Sequence, residues 1–152
     1  MTILSGGCQC GQVRYKADMQ PETAHLCHCR MCQKAAGNYF MPLASAVRAS
    51  FEIKGEISWF QSSEPVRRGF CAKCGTPLIY DPIGSDHLSV TLGSLDDPSA
   101  IAPTHESGIE ARMPWFGQLP GVREEVSGAS ETDGGARLAL INRSNYQHPD
   151  HD

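Results

Sequence analysis

The chain has 152 residues, of which 40% are hydrophobic and 7% aromatic, and its formal net charge is −4. This length predicts a single domain with a modest tail. The small number of aromatic residues favours an additional structural cross-link, such as a metal site, beside the hydrophobic core. The negative charge argues against phosphate binding in general, and therefore against nucleic acid as a partner. The paired cations Arg67 and Arg68 are interpreted as a solvated strand end.

Membrane and export signals are not expected in this sequence. No apolar run approaches the roughly 20 residues of a bilayer-crossing helix. Residues 1–7 lack the charged and apolar regions of a secretory signal, so the cytoplasm is the expected location. Thiols stay reduced there. The cysteines number seven, and an odd number excludes complete disulfide pairing within one chain.

Short apolar segments separated by glycine and proline turns fill the first two thirds of the chain. Alternation at residues 13–18 predicts a half-buried strand, which Pro21 ends. The turn Lys54-Gly55-Glu56 predicts a hairpin between its flanking segments. The other predicted strand segments are 24–27, 39–43, 66–70, 78–80 and 88–92. This pattern predicts a mainly β domain of short strands.

One short helix and a polar tail complete the predicted elements. Residues 29–36 are good helix formers and are followed by Gly37, a C-terminal helix signal. From Ser127 the composition becomes polar, apart from the apolar stretch 138–141. We therefore predict a domain over residues 1–126 and a polar C-terminal tail over residues 127–152. His148 and His151 are interpreted as part of a solvated terminus rather than as a metal binder.

The cysteines fall into three groups, two of which can form one metal site. The groups are Cys8/Cys10, Cys27/Cys29/Cys32 and Cys71/Cys74. A C-x-x-C-G turn aims its two sulfurs at one point, so the last group predicts a zinc site. Residues two apart on an extended segment face the same side, so the first group can supply the other two thiolates. A redox pair is the alternative for the last group, but Gly75-Thr76-Pro77 prevents the helix that such a pair should begin.

The middle group predicts a second metal site with a vacant position. Cys32 lies on the first turn of the predicted helix, and helix N-termini and zinc both depress the pKa of a thiol. Three protein ligands leave one tetrahedral position free, which is typical of a reactive zinc. The alternative is a closed structural site with a histidine as the fourth ligand. His25 is the better candidate for that ligand, because His28 lies between two ligand cysteines.

Four segments around these cysteines and beyond them form a recognisable series. They are Gly6-Gly-Cys-Gln-Cys-Gly-Gln-Val-Arg-Tyr15, Cys27-His-Cys-Arg-Met-Cys32, Phe70-Cys-Ala-Lys-Cys-Gly-Thr-Pro-Leu78, and His105 followed by Pro114-Trp115. In this order they resemble the glutathione-dependent formaldehyde-activating enzyme family, which shares its domain with centromere protein V. The resemblance extends over about residues 5–116, and the order of its four segments makes it specific. The chain has Arg30 and Gln33 where the family usually has serine and arginine.

The resemblance implies a β-rich Mss4-like fold stapled by zinc, with two Zn²⁺ ions per chain. The structural zinc would be held by Cys8, Cys10, Cys71 and Cys74. The catalytic zinc would be held by Cys27, Cys29 and Cys32. The implied activity is that of a carbon–sulfur lyase, and its implied small-molecule partner is the thiol glutathione. Glutathione and formaldehyde would form S-(hydroxymethyl)glutathione.

Four further residues are predicted to bind this substrate. Glutathione carries two carboxylates, and Arg30 and Lys34 are cations about one turn apart on the predicted helix, so they are candidate anchors. Their alternative role is that of exposed helix charges. His105 is a candidate acid–base or orienting group, and Trp115 a candidate pocket wall. For both, a purely structural role is the alternative.

Two other functions compete with the enzyme hypothesis. The first is a catalytically inert, zinc-stabilised protein-binding module, since fold alone does not fix function. A fourth protein ligand at the middle cysteine group would favour that module, whereas an exogenous ligand would favour an enzyme. The second is a nucleic-acid-binding zinc ribbon, which ranks last because the sequence has no basic stripe with interleaved aromatic residues. Iron in place of zinc stays open for thiolate sites.

Overall fold

Short strands dominate the computed structural model, which describes residues 1–130, 132–145 and 147. The prediction of a mainly β domain is confirmed, and the tail contains a second helix in addition to the predicted one. The α-helices are α1 (Arg30–Ala36) and α2 (Ala136–Ser144), and the described residues also contain five short 3-10 helices. The described residues form nine strands: β1 (Thr2–Gly7), β2 (Arg14–Cys27), β3 (Met41–Val47), β4 (Glu52–Lys54), β5 (Ser58–Ser63), β6 (Val66–Phe70), β7 (Pro77–Pro82), β8 (His87–Thr91) and β9 (His105–Ser107).

These strands form one sheet in the order β1-β2-β3-β8-β7-β6-β5. Strands β4 and β9 also pair with β2, and the β2–β9 pairing is parallel whereas the others are antiparallel. In a flat sheet β1 and β6 would lie about 24 Å apart, since neighbouring strands are separated by about 4.8 Å. Cys10 follows β1 and Cys71 follows β6, yet their sulfurs are 3.8 Å apart. The sheet is therefore strongly curled.

The 14-residue strand β2 pairs with four other strands. The prediction that Pro21 ends a strand is wrong, because β2 continues through it. The register between β2 and β3 shifts between Gln20 and His25. An irregularity of this kind tolerates proline, which cannot donate a ladder hydrogen bond. The continuous strand carries Cys27 as its last residue.

The predicted hairpin across Lys54-Gly55-Glu56 is also wrong. Strand β4 pairs with β2, whereas β5 pairs with β6. The structure also corrects the interpretation of the two arginines as a solvated strand end. Arg68 is only 7% exposed, because β6 lies between β5 and β7 and turns alternate residues to opposite faces. Arg67 lies on the other face and pairs with Asp81.

Two hydrophobic cores support the cysteine groups. The larger core is built around buried residues such as Tyr15, Leu78 and Val90, and it includes Cys8 and Cys71. The smaller core consists of Cys32, Met41 and Leu43, with Ala36 and Tyr80 packed against it. Each predicted metal site is thus attached to a different core.

The apolar stretch predicted in the tail lies in α2, where Leu140 and Ile141 are exposed. His148 and His151 lie outside the described residues. Neither helix in the described part of the chain has the length and apolarity needed to cross a bilayer.

A buried carboxylate stabilises the sheet around β7. Asp81 is 1% exposed and accepts hydrogen bonds from Arg48 Nη2 and from Arg67 Nε, the latter at 2.7 Å. Burial alone would raise the pKa of Asp81, but the two guanidinium groups hold it below its usual value. The ionised carboxylate is therefore the form that stabilises the fold. Its contribution is present above the unfolded-state pKa of about 3.9 and is lost as the pH falls through the lower folded-state pKa.

We expect Asp81→Asn to lower the free energy of unfolding by about 2–4 kcal/mol at neutral pH, because it leaves two arginines without their buried anion. The difference from the unaltered chain should shrink as the pH falls below about 4. Urea denaturation at both pH values measures this. Asp86→Asn, which alters an exposed carboxylate on the adjoining turn, is the control and should change little. An equal decrease in the free energy of unfolding in the two variants would contradict the role of Asp81.

Candidate functional site

Four cysteine sulfurs from distant parts of the chain converge on one point. The Sγ atoms of Cys8, Cys10, Cys71 and Cys74 all lie within 4.8 Å of one another. Two of these separations are 3.5 and 3.8 Å. Tetrahedral zinc with Zn–S bonds of about 2.3 Å places its sulfurs about 3.8 Å apart, whereas a disulfide brings them to about 2.05 Å. All seven cysteines are free. The group therefore fits a metal ion and not a disulfide.

Tight turns aim these sulfurs at one another. Cys8 and Cys10 lie in a turn closed by a 2.9 Å hydrogen bond from Gly11 N–H to the Cys8 carbonyl, so the expected extended segment is wrong although the sulfurs still converge. In the C-x-x-C turn, Gly75 donates its N–H to the Cys71 carbonyl at 2.8 Å. Gly75 has φ +77°, a conformation that glycine adopts without steric cost.

Thr76 links the two halves of the four-cysteine group, and the sequence analysis missed it. Its Oγ1 accepts a 3.1 Å hydrogen bond from Gln9 N–H and lies 3.1 Å from Cys74 Sγ. Burial acts to raise the pKa of Cys74, but hydrogen bonds from Thr76 and Cys10 lower it to about 6. The sequence signal for this role is a hydroxyl residue directly after Gly75, the glycine of the C-x-x-C-G turn. A thiolate at Cys74 is thus favoured by the protein's own donors.

The middle group forms a second, smaller convergence of sulfurs. The Sγ atoms of Cys27, Cys29 and Cys32 lie within 4.8 Å of one another, and no histidine or carboxylate of the described residues joins them. Cys29 is the N-cap of α1, and its Sγ accepts a 3.4 Å hydrogen bond from the Cys32 N–H. The group can hold a metal ion with three thiolates, which leaves one tetrahedral position for another ligand.

Neither candidate histidine joins this group. His25 stacks on His105 with ring centroids 5.2 Å apart, and its Nδ1 lies 2.9 Å from the Thr23 carbonyl oxygen. His28 is fully buried, and its ring is nearly perpendicular to that of Phe116, with the centroids 4.7 Å apart. The described residues therefore do not support the closed site with a histidine ligand.

The segment after β9 packs against the middle group and α1. A Cβ on Gly108 would lie 2.8 Å from the Cys29 nitrogen, and its φ of +63° also favours glycine. Gln33 donates from Nε2 to the carbonyls of His28 and Ala111, at 2.7 and 3.0 Å. Gln33 thus ties the helix to this segment. Sequence reasoning missed Gly108, since nothing nearby indicates a close backbone approach.

A cationic groove lies beside the middle group. Arg68 connects the two, because its Nη2 donates to Cys32 Sγ at 3.3 Å while its side chain lines the groove. Burial raises the pKa of the Cys32 thiol to about 12, against the opposing effect of Arg68. The groove has a volume of about 510 Å³ and is lined by Arg30, Met31, Lys34, Ala35, Phe60, Ser62 and Arg68.

The four predicted substrate residues separate into two sets. Arg30 and Lys34 are exposed and line the groove together. His105 is exposed at the start of β9, where its Nδ1 lies 3.0 Å from the Thr104 hydroxyl. Trp115 packs edge-on against Tyr39 with centroids 4.5 Å apart. The structure therefore brings the two cations to one surface and keeps His105 and Trp115 outside the groove lining.

Comparison with known proteins agrees with this arrangement. The family model described as "Glutathione-dependent formaldehyde-activating enzyme" matches residues 3–110. The chain belongs to this family. The matched region contains all seven cysteines and the groove residues. Membership supports a function related to glutathione and to the activation of formaldehyde.

A solved structure shows the same fold. The crystal structure of a Rhodobacter sphaeroides protein matches this chain with a TM-score of 0.58 and 18% sequence identity. The match covers 68% of this chain and 100% of that one. At this identity the likeness concerns the fold alone.

We expect the purified chain to hold two divalent ions, and Cys27→Ser to hold about one while remaining folded, because only the three-thiol group loses a ligand.

Cys71→Ser should lower the melting temperature by about 10 °C or more, since metal binding at such a site contributes several kcal/mol to folding. Metal analysis by mass spectrometry and thermal denaturation measure the two effects. Unfolding of Cys27→Ser would instead assign a structural role to the middle group.

Proposed function

We propose that this protein is a zinc-dependent carbon–sulfur lyase-type enzyme that joins glutathione and formaldehyde into S-(hydroxymethyl)glutathione. The observation that carries the proposal is the convergence of three cysteine sulfurs without a fourth protein ligand among the described residues. Membership of the formaldehyde-activating family supports the choice of the two substrates. The free thiols suit a reducing compartment such as the cytoplasm.

The two cysteine groups have different proposed roles. Cys8, Cys10, Cys71 and Cys74 would hold a structural zinc, because four thiolates complete a tetrahedron and two of them belong to the larger core. Cys27, Cys29 and Cys32 would hold the catalytic zinc. That ion would supply Lewis acidity and a binding position for a sulfur or an oxygen.

The reaction forms one carbon–sulfur bond and one O–H bond at the expense of the S–H bond and the C=O π bond, and it needs no oxidant. The sulfur of glutathione forms a bond to the carbonyl carbon of formaldehyde, and the π electrons of the C=O bond move to oxygen. The proton lost by the thiol ends on that oxygen, which gives a hydroxymethyl thioether. The reverse reaction breaks the same carbon–sulfur bond.

The chain's own residues contribute binding and orientation. Arg30 and Lys34 lie about one turn apart on α1 and present cations to the groove, where they can pair with the two carboxylates of glutathione. Phe60 is 61% exposed and supplies an apolar wall to the same groove. His105 and Trp115 stay candidate substrate contacts only if substrate extends beyond the groove, towards the segment after β9.

We expect the zinc-loaded chain to accelerate exchange between glutathione and its hydroxymethyl adduct above the spontaneous rate. Exchange NMR of a glutathione–formaldehyde mixture measures this rate. Cys27→Ser should return the rate to the spontaneous value, because the three-thiol site is lost. If exchange is no faster than in buffer although both zinc ions are bound, the formaldehyde assignment is removed. The inert protein-binding module would then be the better hypothesis.

We expect the double variant Arg30→Ala/Lys34→Ala to raise the KM for glutathione about threefold to tenfold, since exposed cations each contribute up to about 1 kcal/mol. The rate with a thiol that has no carboxylate should not change. Lys54→Ala, which removes an exposed cation on β4, is the matched control and should leave both values unchanged. If the double variant impairs the reaction equally with both thiols, the groove cations do not bind the carboxylates of glutathione.

A further inference from the structure

Arg68 is a buried cation without a carboxylate partner. Its side chain is in the interior, with the residue 7% exposed, and no carboxylate within the described ranges lies at ion-pair distance from it. Its Nε donates to Ser62 Oγ at 3.0 Å, and its guanidinium lies 5.1 Å from the ring centre of Tyr80. Its two terminal nitrogens face sulfur: Nη1 is 3.4 Å from Met41 Sδ and Nη2 is 3.3 Å from Cys32 Sγ.

The neighbouring arginine shows that this arrangement is specific to one face of β6. Arg67 stacks on Trp59 at 4.0 Å and pairs with the carboxylate of Asp81. Burying a cation without an anion is costly, so a buried arginine is expected to have a negative partner. The group that Arg68 Nη2 contacts is Cys32 Sγ, which becomes anionic when the three-cysteine group holds a metal ion.

Charge counting shows what the arginine can do there. A divalent ion with three thiolates has a net charge of −1, and one guanidinium cancels it. A fourth, anionic sulfur then brings the centre to −1. Without the arginine the same ligand would bring it to −2 in a partly buried site, which is electrostatically unfavourable.

We propose that Arg68 is a positioning residue that balances the charge of the three-cysteine site and so allows the sulfur of a substrate thiolate to bind as its fourth ligand. This inference rests on the proposed function, because it requires a metal ion in the middle group. It assigns Arg68 to the sulfur of the substrate, whereas Arg30 and Lys34 are assigned to its carboxylates.

Co²⁺-loaded protein tests this role, because a thiolate that binds as a further ligand adds to the sulfur-to-Co²⁺ charge-transfer absorption that the cysteine ligands already give. The probe is 2-mercaptoethanol, a thiol without a carboxylate, titrated into the unaltered chain and into Arg68→Met. We expect the affinity for this thiol to fall about tenfold or more in Arg68→Met, the loss typical of removing a hydrogen bond to a charged group. Arg67→Met is the matched control, since it removes an adjacent cation from the opposite face of β6, and it should bind the thiol as the unaltered chain does.

Two outcomes would overturn the role of Arg68. One is that Arg68→Met binds 2-mercaptoethanol within about twofold of the unaltered chain, which is less than the loss of any charged hydrogen bond. The other is that only glutathione binding weakens, which would make Arg68 a carboxylate anchor. If the unaltered chain itself shows no spectral change with either thiol, the open metal site fails, and the proposed function fails with it.

A second pair of variants covers the case in which Arg68→Met does not fold, as thermal denaturation would show. Arg68→Lys keeps the charge and loses the planar fork, whereas Arg68→Gln keeps a donor and loses the charge. The proposal expects Arg68→Lys to bind 2-mercaptoethanol more tightly than Arg68→Gln. Equal affinities, or the reverse order, would overturn it.

Discussion

The convergence of four sulfurs from the segments after β1 and β6 is the constraint on which the fold depends. Cys8 and Cys10 follow β1, and Cys71 and Cys74 follow β6, which are five places apart in the strand order. The sheet must curl to bring these sulfurs together, and its curled inner face is filled by the larger core, to which Cys8 and Cys71 belong. With few aromatic residues to fill that core, a metal ion is a reasonable source of the missing stabilisation.

The middle group depends on the sheet in a different way. Its three sulfurs come from six consecutive residues at the junction of β2 and α1, so it closes no long loop. Its environment is nevertheless built by long-range contacts, from Arg68 on β6 and from Gly108 after β9. The curled sheet thus supplies a rigid support for a site whose ligands are local, which suits a centre that must change ligands without loss of the fold.

The sequence predicted which cysteines converge better than it predicted how the strands pair. Cysteine spacing is a local signal, so both sulfur groups could be found from Cys71-Ala-Lys-Cys74 and from the cluster at residues 27–32. Strand pairing is long-range, and for that reason β4 was assigned to the wrong partner and Pro21 to a strand end. The pair Arg67-Arg68 does not reveal from sequence alone that one of its members is buried. Adjacent residues in a strand face opposite sides of the sheet, so the two arginine side chains of the central strand β6 could not both be exposed to solvent.

The two sulfur groups differ in how their negative charge is stabilised, and this difference agrees with their proposed roles. The four-cysteine group is surrounded by neutral donors, such as the Val13 N–H, 3.2 Å from Cys8 Sγ, and the hydroxyl of Thr76. Such dipoles stabilise the thiolates already present but do not offset the charge of a further anion. The three-cysteine group instead has a full guanidinium charge at Cys32. A cation of that kind favours the arrival of one more negative ligand, which agrees with the proposal of a closed centre at the four-cysteine group and a receptive one at the three-cysteine group.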